Sequence, residues 1–357
     1  MKKMLYMCHI DWGWIKQRPQ FLAEALTEHF SVSVMYMYQN RNRENLQKRV
    51  DEKISTTPLY TIPFFGRIKP LRIINNLFMR MQFSKKLKSV GAEYVFLTYP
   101  DQINFIPKWY KGKILYDCMD DHVAMVANIR KNYIKQCEEK LTEKADTIFV
   151  SSENLCKKLI ATYKIQNKEK LSVIRNGYNG KIFDVQQNFG KKKNDFTLSY
   201  IGTVSHWFDF DNILKSLEDF DNVKYKIIGP IEPGLTLPSS ERIEFMGTIE
   251  HNALYDNIKD TDALIMPFKI NEIIKSVDPV KLYEYINYNM NILSVRYDEI
   301  IRFDNFVYFY NDYNEYKESL QKMIDAEKVK YSSDERQAFL EQSNWNSRAK
   351  QILEIIG

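Results

Sequence analysis

The feature that most constrains this chain is an alternation that runs, halts and restarts. Residues 4–10, 31–36, 59–63, 93–98, 113–117, 147–150 and 171–174 are short apolar runs that read as strands. Between them residues 16–29, 128–144 and 154–163 carry helical spacing, and the charged segment 40–53 reads as loop or solvated helix. Residues 180–195 (GKIFDVQQNFGKKKND) then break the pattern with a polar, lysine-rich stretch of linker composition, just after Gly177, which suits a bend. Strands resume at 197–202, 225–228, 243–246, 263–266, 292–295 and 307–310. Helical patterns fall at 208–218, 252–258, 280–288, 313–326 and 343–356. Strands separated by helices pair in parallel and are covered on both faces, so the expected fold is α/β with two successive doubly wound parallel sheets.

At 357 residues the chain is long enough for two domains, and 44% hydrophobic with 27% charged residues is the balance of a globular protein. No run approaches the roughly 18 apolar residues of a membrane-spanning helix. The start, MKKMLYMCHIDW, has too short an apolar stretch for a signal peptide, so a cytoplasmic protein is expected. Cys8, Cys118, Cys137 and Cys156 show no metal-ligand spacing and are expected as free thiols, with no metal site. The net charge of +5 is unevenly placed: residues 63–92 hold seven Lys/Arg, among them Arg67, Lys69, Arg72, Arg80, Lys85 and Lys86, and no acid. Interleaved with Leu71, Ile73, Ile74, Leu77 and Phe78, they describe either a basic amphipathic surface for an anionic membrane or an ordinary helix with a solvated basic face. No motif for nucleic acid accompanies the charge, so that partner is not expected.

Residues 262–295 carry the most chemistry. Asp278 is a good helix N-cap and Pro279 suits the first helical position, so a helix is predicted from Val280. Its unpaired amides, its partial positive charge and Lys281 together make a seat for phosphates, and Glu284 faces the same way one turn on. The competing interpretation is an ordinary βαβ unit with a surface Lys–Glu pair. Three strand ends feed glycine turns: Gly13 after the first strand, Gly202-Thr203 after residue 201, and Gly229 after residue 228. Loops at strand carboxyl ends line the binding crevice of such sheets.

Six segments in order, WGWIKQRPQFLAEAL, YDCMDD, VSSENL, IRNGYN, YIGT and PFKINEIIKSVDPVKLYEYI, resemble bacterial glycosyltransferases of the GT-B fold, those of capsule, teichuronic-acid and exopolysaccharide clusters. The resemblance implies two Rossmann-like domains facing a cleft. The acceptor domain would be 1–177 with the last helix, 343–357, packing back on it, and the donor domain 178–342. It implies transfer of a sugar from a nucleotide diphosphate sugar, with UDP as the nucleotide, to a saccharide or lipid-linked acceptor in surface-polysaccharide synthesis. No metal would be used, and no cofactor beyond the nucleotide sugar as co-substrate. The donor would be held by Gly13, Gly202, Thr203, Gly229, Asp278, Pro279, Val280, Lys281 and Glu284. Asp121, and after it Asp120, would be the base that activates the acceptor hydroxyl, with His9 a third choice. The same residue types also read as an N-cap for the next helix (Asp120 or Asp121) and as structural supports of a helix start (Arg18 and Gln20). Retaining members carry a Glu eight positions before Glu284, where this chain has Ser276. The usual small-Gly-Lys-Pro-Val ending after the donor helix is replaced by residues 288–292, YNMNI. The rivals are a sugar-nucleotide epimerase of the same fold and a catalytically silent binding protein.

Overall fold

The structure, a computed structural model, describes residues 1–14, 16–39, 54–62, 69–178, 180, 182–183, 195–250 and 253–357, with the side chains of 69, 70 and 72 excepted. Arg67, the side chains of Lys69 and Arg72, the whole of segment 40–53 and most of the 180–195 stretch therefore lie outside the described residues. The chain forms two compact units, residues 1–179 with 344–357, and residues 180–343.

In the first unit, strands β1 (Lys3–Cys8), β2 (Ser31–Met37), β3 (Ser55–Leu59), β4 (Tyr94–Leu97), β5 (Lys113–Cys118), β6 (Thr147–Val150) and β7 (Leu171–Val173) form one parallel sheet. Their order is β3-β2-β1-β4-β5-β6-β7, so the winding reverses between β1 and β4. Helices α1 (Arg18–Leu26), α2 (Lys69–Val90), α3 (His122–Met125), α4 (Asn128–Lys144) and α5 (Glu153–Tyr163) connect them. Successive side chains of a strand point to opposite faces, and here both faces are covered. Leu5 and Met7 of β1 pack with Phe83 of α2 and Leu141 of α4, while Met4, Tyr6 and Cys8 pack with Leu22 and Leu26 of α1. The strand at 59–63 expected from the apolar run instead lies at Ser55–Leu59. It contains Pro58, which the sheet accommodates because β3 is an edge.

In the second unit, β8 (Phe196–Ile201), β9 (Val223–Ile228), β10 (Ile243–Gly247), β11 (Ala263–Met266), β12 (Asn291–Val295) and β13 (Val307–Tyr310) form a parallel sheet in the order β10-β9-β8-β11-β12-β13. Its reversal point is between β8 and β11. The helices here are α6 (Phe210–Asp219), α7 (Leu254–Ile258), α8 (Val280–Asn287), α9 (Tyr313–Ile324) and α10 (Ser333–Gln342). No described helix is long and apolar enough to cross a membrane.

The last helix, α11 (Trp345–Ile356), belongs to the first unit and packs on α1. Trp345, Ala349 and Ile352 share the core of Leu22 and Leu26, and the Trp345 and Phe21 rings stack at 5.6 Å. Gly177 permits the approach: a Cβ there would lie 2.9 Å from the Trp345 ring and 3.1 Å from its backbone nitrogen.

Candidate functional site

The carboxyl edge of the second sheet is built from glycine. β8 runs into Gly202 (φ +148°), β9 into Gly229 (φ +140°), and β10 ends on Gly247 (φ +68°), all in backbone territory that side-chain-bearing residues rarely adopt. The three are laced together: the Gly202 amide donates to Ile228 O at 2.8 Å and the Gly229 amide to Gly247 O at 2.8 Å. A Cβ on Gly229 would fall 2.1 Å from the carbonyl oxygen of Gly202, so the two backbones touch directly. Gly202 and Gly229 were legible as strand-end glycines. Gly247 follows an apolar run in the same way and was missed.

Helix α8 is seated against this edge by Tyr285. Its hydroxyl accepts from the Ile201 amide at 2.9 Å and lies 3.4 Å from both Ile201 O and Ile265 O, bridging the ends of β8 and β11 where the winding reverses. Leu282 and Ile286 are buried beneath it. One turn before Tyr285, the Lys281 side chain lies over Gly202: a Cβ on that glycine would meet Lys281 Cε at 2.2 Å and Nζ at 2.7 Å. The lysine is half-buried and sits 5.9 Å from the Tyr200 ring centre, but it has no ion pair or hydrogen bond with any described residue. Loss of water around it lowers its pKa, and the Glu284 carboxylate one turn on raises it in part. Thr203 is exposed beside it, its carbonyl accepting from the Tyr200 hydroxyl at 2.9 Å.

The start of α8 differs from expectation. Pro279, not Asp278, occupies the N-cap position, and Val280 is the first helical residue. Asp278 is buried, with its carboxylate held by Arg302 and by the Tyr283 hydroxyl at 3.1 and 3.3 Å, and is not the N-cap of the helix. The Arg302 guanidinium in turn lies 3.9 Å over the Phe303 ring. The free end is therefore the Val280 and Lys281 amides, since the Leu282 amide already donates to Pro279 O at 3.2 Å. Glu284 is half-buried on α8, one turn beyond Lys281, and Ser276 is buried.

In the first unit the YDCMDD segment closes β5, and its three carboxylates have different fates. Asp117 is fully buried in a two-pronged pair with Arg18, whose Nε and Nη2 lie 2.9 and 2.7 Å from its oxygens. Arg18 also donates to Asn176 at 3.2 Å, and the Gln20 side chain accepts from the Gln17 amide at 3.0 Å, so both residues are structural. Asp121, the first choice as base, is engaged on both oxygens: Oδ1 caps α3 by accepting from the Ala124 amide at 3.0 Å, and Oδ2 pairs with Lys158. Asp120 is the open one. Half-buried, it has no side-chain hydrogen bond or ion pair with a described residue. Burial pushes its pKa up to about 7, with Arg18 opposing and Asp117 and Asp121 adding to the rise. Of the two aspartates, Asp121 is thus the one whose carboxylate is engaged by described residues.

His9, just past β1, is fixed by Thr98. The threonine hydroxyl gives its proton to Met7 O at 2.8 Å and accepts from the His9 amide at 3.1 Å, so at 2.8 Å from Nδ1 it can only accept. The network therefore places the proton on Nδ1 and the lone pair on Nε2, and burial lowers the ring's pKa to about 4, keeping it neutral. His9 stacks on Tyr99 at 5.5 Å, and the His122 ring meets Tyr99 edge-on at 4.9 Å. Gly13 sits in the following turn, its amide donating to Asp11 at 3.0 Å. Arg80 and Lys86 are half-buried and Lys85 is exposed on α2. That helix buries Asn75, Met79, Phe83 and Leu87 and turns Ile73 (67% exposed), Leu77 (56%) and Met81 (67%) outward. Among the described residues no group of three or more His, Cys, Asp or Glu is arranged to hold a metal.

No family profile matches the chain. Over 269 residues it is 20% identical to TuaH of Bacillus subtilis, named as a teichuronic acid biosynthesis glycosyltransferase; the match covers 69% of this chain and 67% of that one. Among solved structures, sucrose-phosphate synthase from Thermosynechococcus elongatus superposes with a TM-score of 0.72 at 12% identity, covering 99% of this chain and 98% of that one. HepE of Anabaena, solved with UDP and glucose, superposes with a TM-score of 0.64 at 11% identity, covering 100% of this chain and 99% of that one. The two parallel-sheet units and these superpositions establish the GT-B fold, and the chain resembles the bacterial glycosyltransferases built on it.

Proposed function

We propose that this protein is a glycosyltransferase that takes a sugar from a UDP-sugar and passes it to a saccharide acceptor. The observation that carries the reading is Lys281: an ammonium group without an ion pair or hydrogen bond among the described residues, laid over a side-chain-free strand end, beside two amides likewise open among them, at the reversal point of a parallel sheet. Such a place suits a diphosphate, because the developing charge of the leaving group meets a cation and N–H dipoles already in position. That arrangement stabilises departure of the nucleotide with protein groups alone, and we extend the proposal to transfer without a metal. Glu284, one turn deeper, is suited to accept from sugar hydroxyls. TuaH, by its name, and HepE, by its bound UDP and glucose, support the same class of donor.

On the acceptor side we assign the base to Asp120. A carboxylate poised near pH 7 without a competing partner is suited to take a hydroxyl proton, whereas Asp121 would first have to release both Lys158 and its helix cap. The outward apolar stripe of α2, with Arg80, Lys85 and Lys86 on the same acid-free helix, supports a lipid-linked acceptor met at an anionic membrane surface in surface-polysaccharide synthesis.

Release of UDP from a panel of UDP-sugars tests the reading. Slow release by the wild-type protein, reduced at least tenfold in Lys281→Ala, is expected. Absence of both UDP binding and UDP release would refute it, and conversion of the free UDP-sugar to its epimer would replace it with the epimerase reading.

A further inference from the structure

Next to Asp120 the first unit holds a pocket whose polar inventory donor chemistry does not use. It lies among α3, α4 and α5, opens to solvent, and has a volume of about 200 Å³. Val123, Leu155 and Leu159 supply apolar wall, and Lys131 and Lys135 of α4 also line it. These two lysines stand one helical turn apart and have no ion pair or hydrogen bond with any described residue. Like charges at that spacing repel, and no carboxylate of a described residue lies within ion-pair distance of either. The other ionic groups are already committed. Glu138 accepts from the Tyr116 and Tyr163 hydroxyls at 2.6 and 2.7 Å, and Lys158 is paired with Asp121. What remains open is one carboxylate, Asp120, and two ammonium groups.

That remainder discriminates among ligands. A neutral saccharide would satisfy the carboxylate through its hydroxyls and leave the lysine pair unrelieved. A bare inorganic anion would relieve the lysines but bring a negative charge toward Asp120. A sugar carrying an acidic substituent does both at once. We infer that this pocket binds an anionic saccharide unit, a uronate or a sugar phosphate, with its hydroxyls on Asp120 and its acidic group on Lys131 and Lys135. The inference rests on the assignment of Asp120 to the acceptor side and names the class of acceptor.

Saturation-transfer NMR on the full chain, with glucuronate, glucose 6-phosphate, glucose and inorganic phosphate as probes, tests it. At least one of the two acidic sugars should bind tenfold or more tighter than glucose, and K131E/K135E should abolish the preference. Lys135 is exposed and Lys131 half-buried, and neither belongs to the hydrophobic core. Circular dichroism, with K131Q/K135Q as a milder variant that should weaken the preference, separates loss of the site from loss of the fold. Glucose binding as well as the acidic sugars, inorganic phosphate matching glucose 6-phosphate, or a preference that survives K131E/K135E would each overturn the inference. UDP binding that depends on Lys281 without any acidic preference here leaves the transferase reading standing and removes this one. Acidic preference without UDP binding does the reverse.

Discussion

Replacing Gly202 by alanine should weaken nucleotide binding through a residue that the substitution does not remove. The new methyl would sit 2.2 Å from Lys281 Cε and 2.7 Å from Nζ. Carbon atoms in contact prefer about 3.5 Å or more, so the lysine tip must retreat by at least ~1.3 Å. A charge-assisted hydrogen bond is worth about 1.5–3 kcal/mol, and losing it to one phosphate oxygen corresponds to about 10–100-fold in UDP affinity at ~1.4 kcal/mol per tenfold. Alanine at φ +148° is separately strained, by about 1–3 kcal/mol. For a unit of this size that lowers Tm by roughly 2–12 °C. The assay is calorimetric titration with UDP on Gly202→Ala, Lys281→Ala and the double variant, with thermal melts alongside. Each single variant should lose affinity, and the double should lose no more than Lys281→Ala alone, because the methyl acts by moving a side chain that is already gone. The strain, by contrast, should persist in the melts of the double variant. Additive losses in affinity, or wild-type UDP binding by Gly202→Ala, would refute the idea that the glycine exists to seat the lysine.

Other consequences are as direct. Asp120→Asn should lower kcat by about 10²–10⁴ while leaving UDP binding intact, and the wild-type rate should fall as pH drops through about 7, measured as a pH–rate profile. Because the folded-state pKa of this group is raised, the folded chain holds a proton that the unfolded chain has released between about pH 4 and 7. This group therefore makes wild-type stability decline over that window, and Asp120→Asn should flatten the decline in Tm measured against pH. Asp117→Ala leaves the buried Arg18 guanidinium without its carboxylate and should destabilise the first unit by about 3–5 kcal/mol in denaturant melts. Sedimentation with anionic vesicles should be lost on charge reversal at Arg80, Lys85 and Lys86 and reduced by Met81→Ser; unchanged sedimentation would remove the membrane surface from the proposal.

How far the sequence revealed the site depended on the range of the interaction concerned. Helix α8 and the direction of Lys281 follow from spacing within one turn, and strands 147–150, 263–266 and 307–310 match their apolar runs residue for residue. Asp278 was misread as the helix cap because an Asp-Pro pair before a helix is locally an N-cap, while its actual partner, Arg302, is 24 residues away, beyond α8 and β12. Both Asp120 and Asp121 were candidate caps by local rule; the cap on Ala124 and the pair with Lys158, on α5, fall to Asp121 alone. Helix α10 was overlooked since its buried residues reduce to Arg336 and Leu340, too few for an apolar stripe, although Ser332 and Glu335 form a capping box that spelled out its start. The exposed apolar face of α2 was ambiguous for a different reason: residue types alone do not say which side of a helix the sheet will cover.

The docking of α11 onto α1 bears on how the molecule comes into being. Trp345, Ala349 and Ile352 complete a hydrophobic layer whose opposite half, Leu22 and Leu26, leaves the ribosome more than three hundred residues earlier. Residues 180–343 form a contiguous unit that has everything it needs while that layer is still open. During synthesis the apolar face of the first sheet thus stays open for the whole time that the second unit is being made. Until its closing helix arrives, the nascent amino-terminal sheet presents bare apolar surface, the period in which a chaperone has most to do.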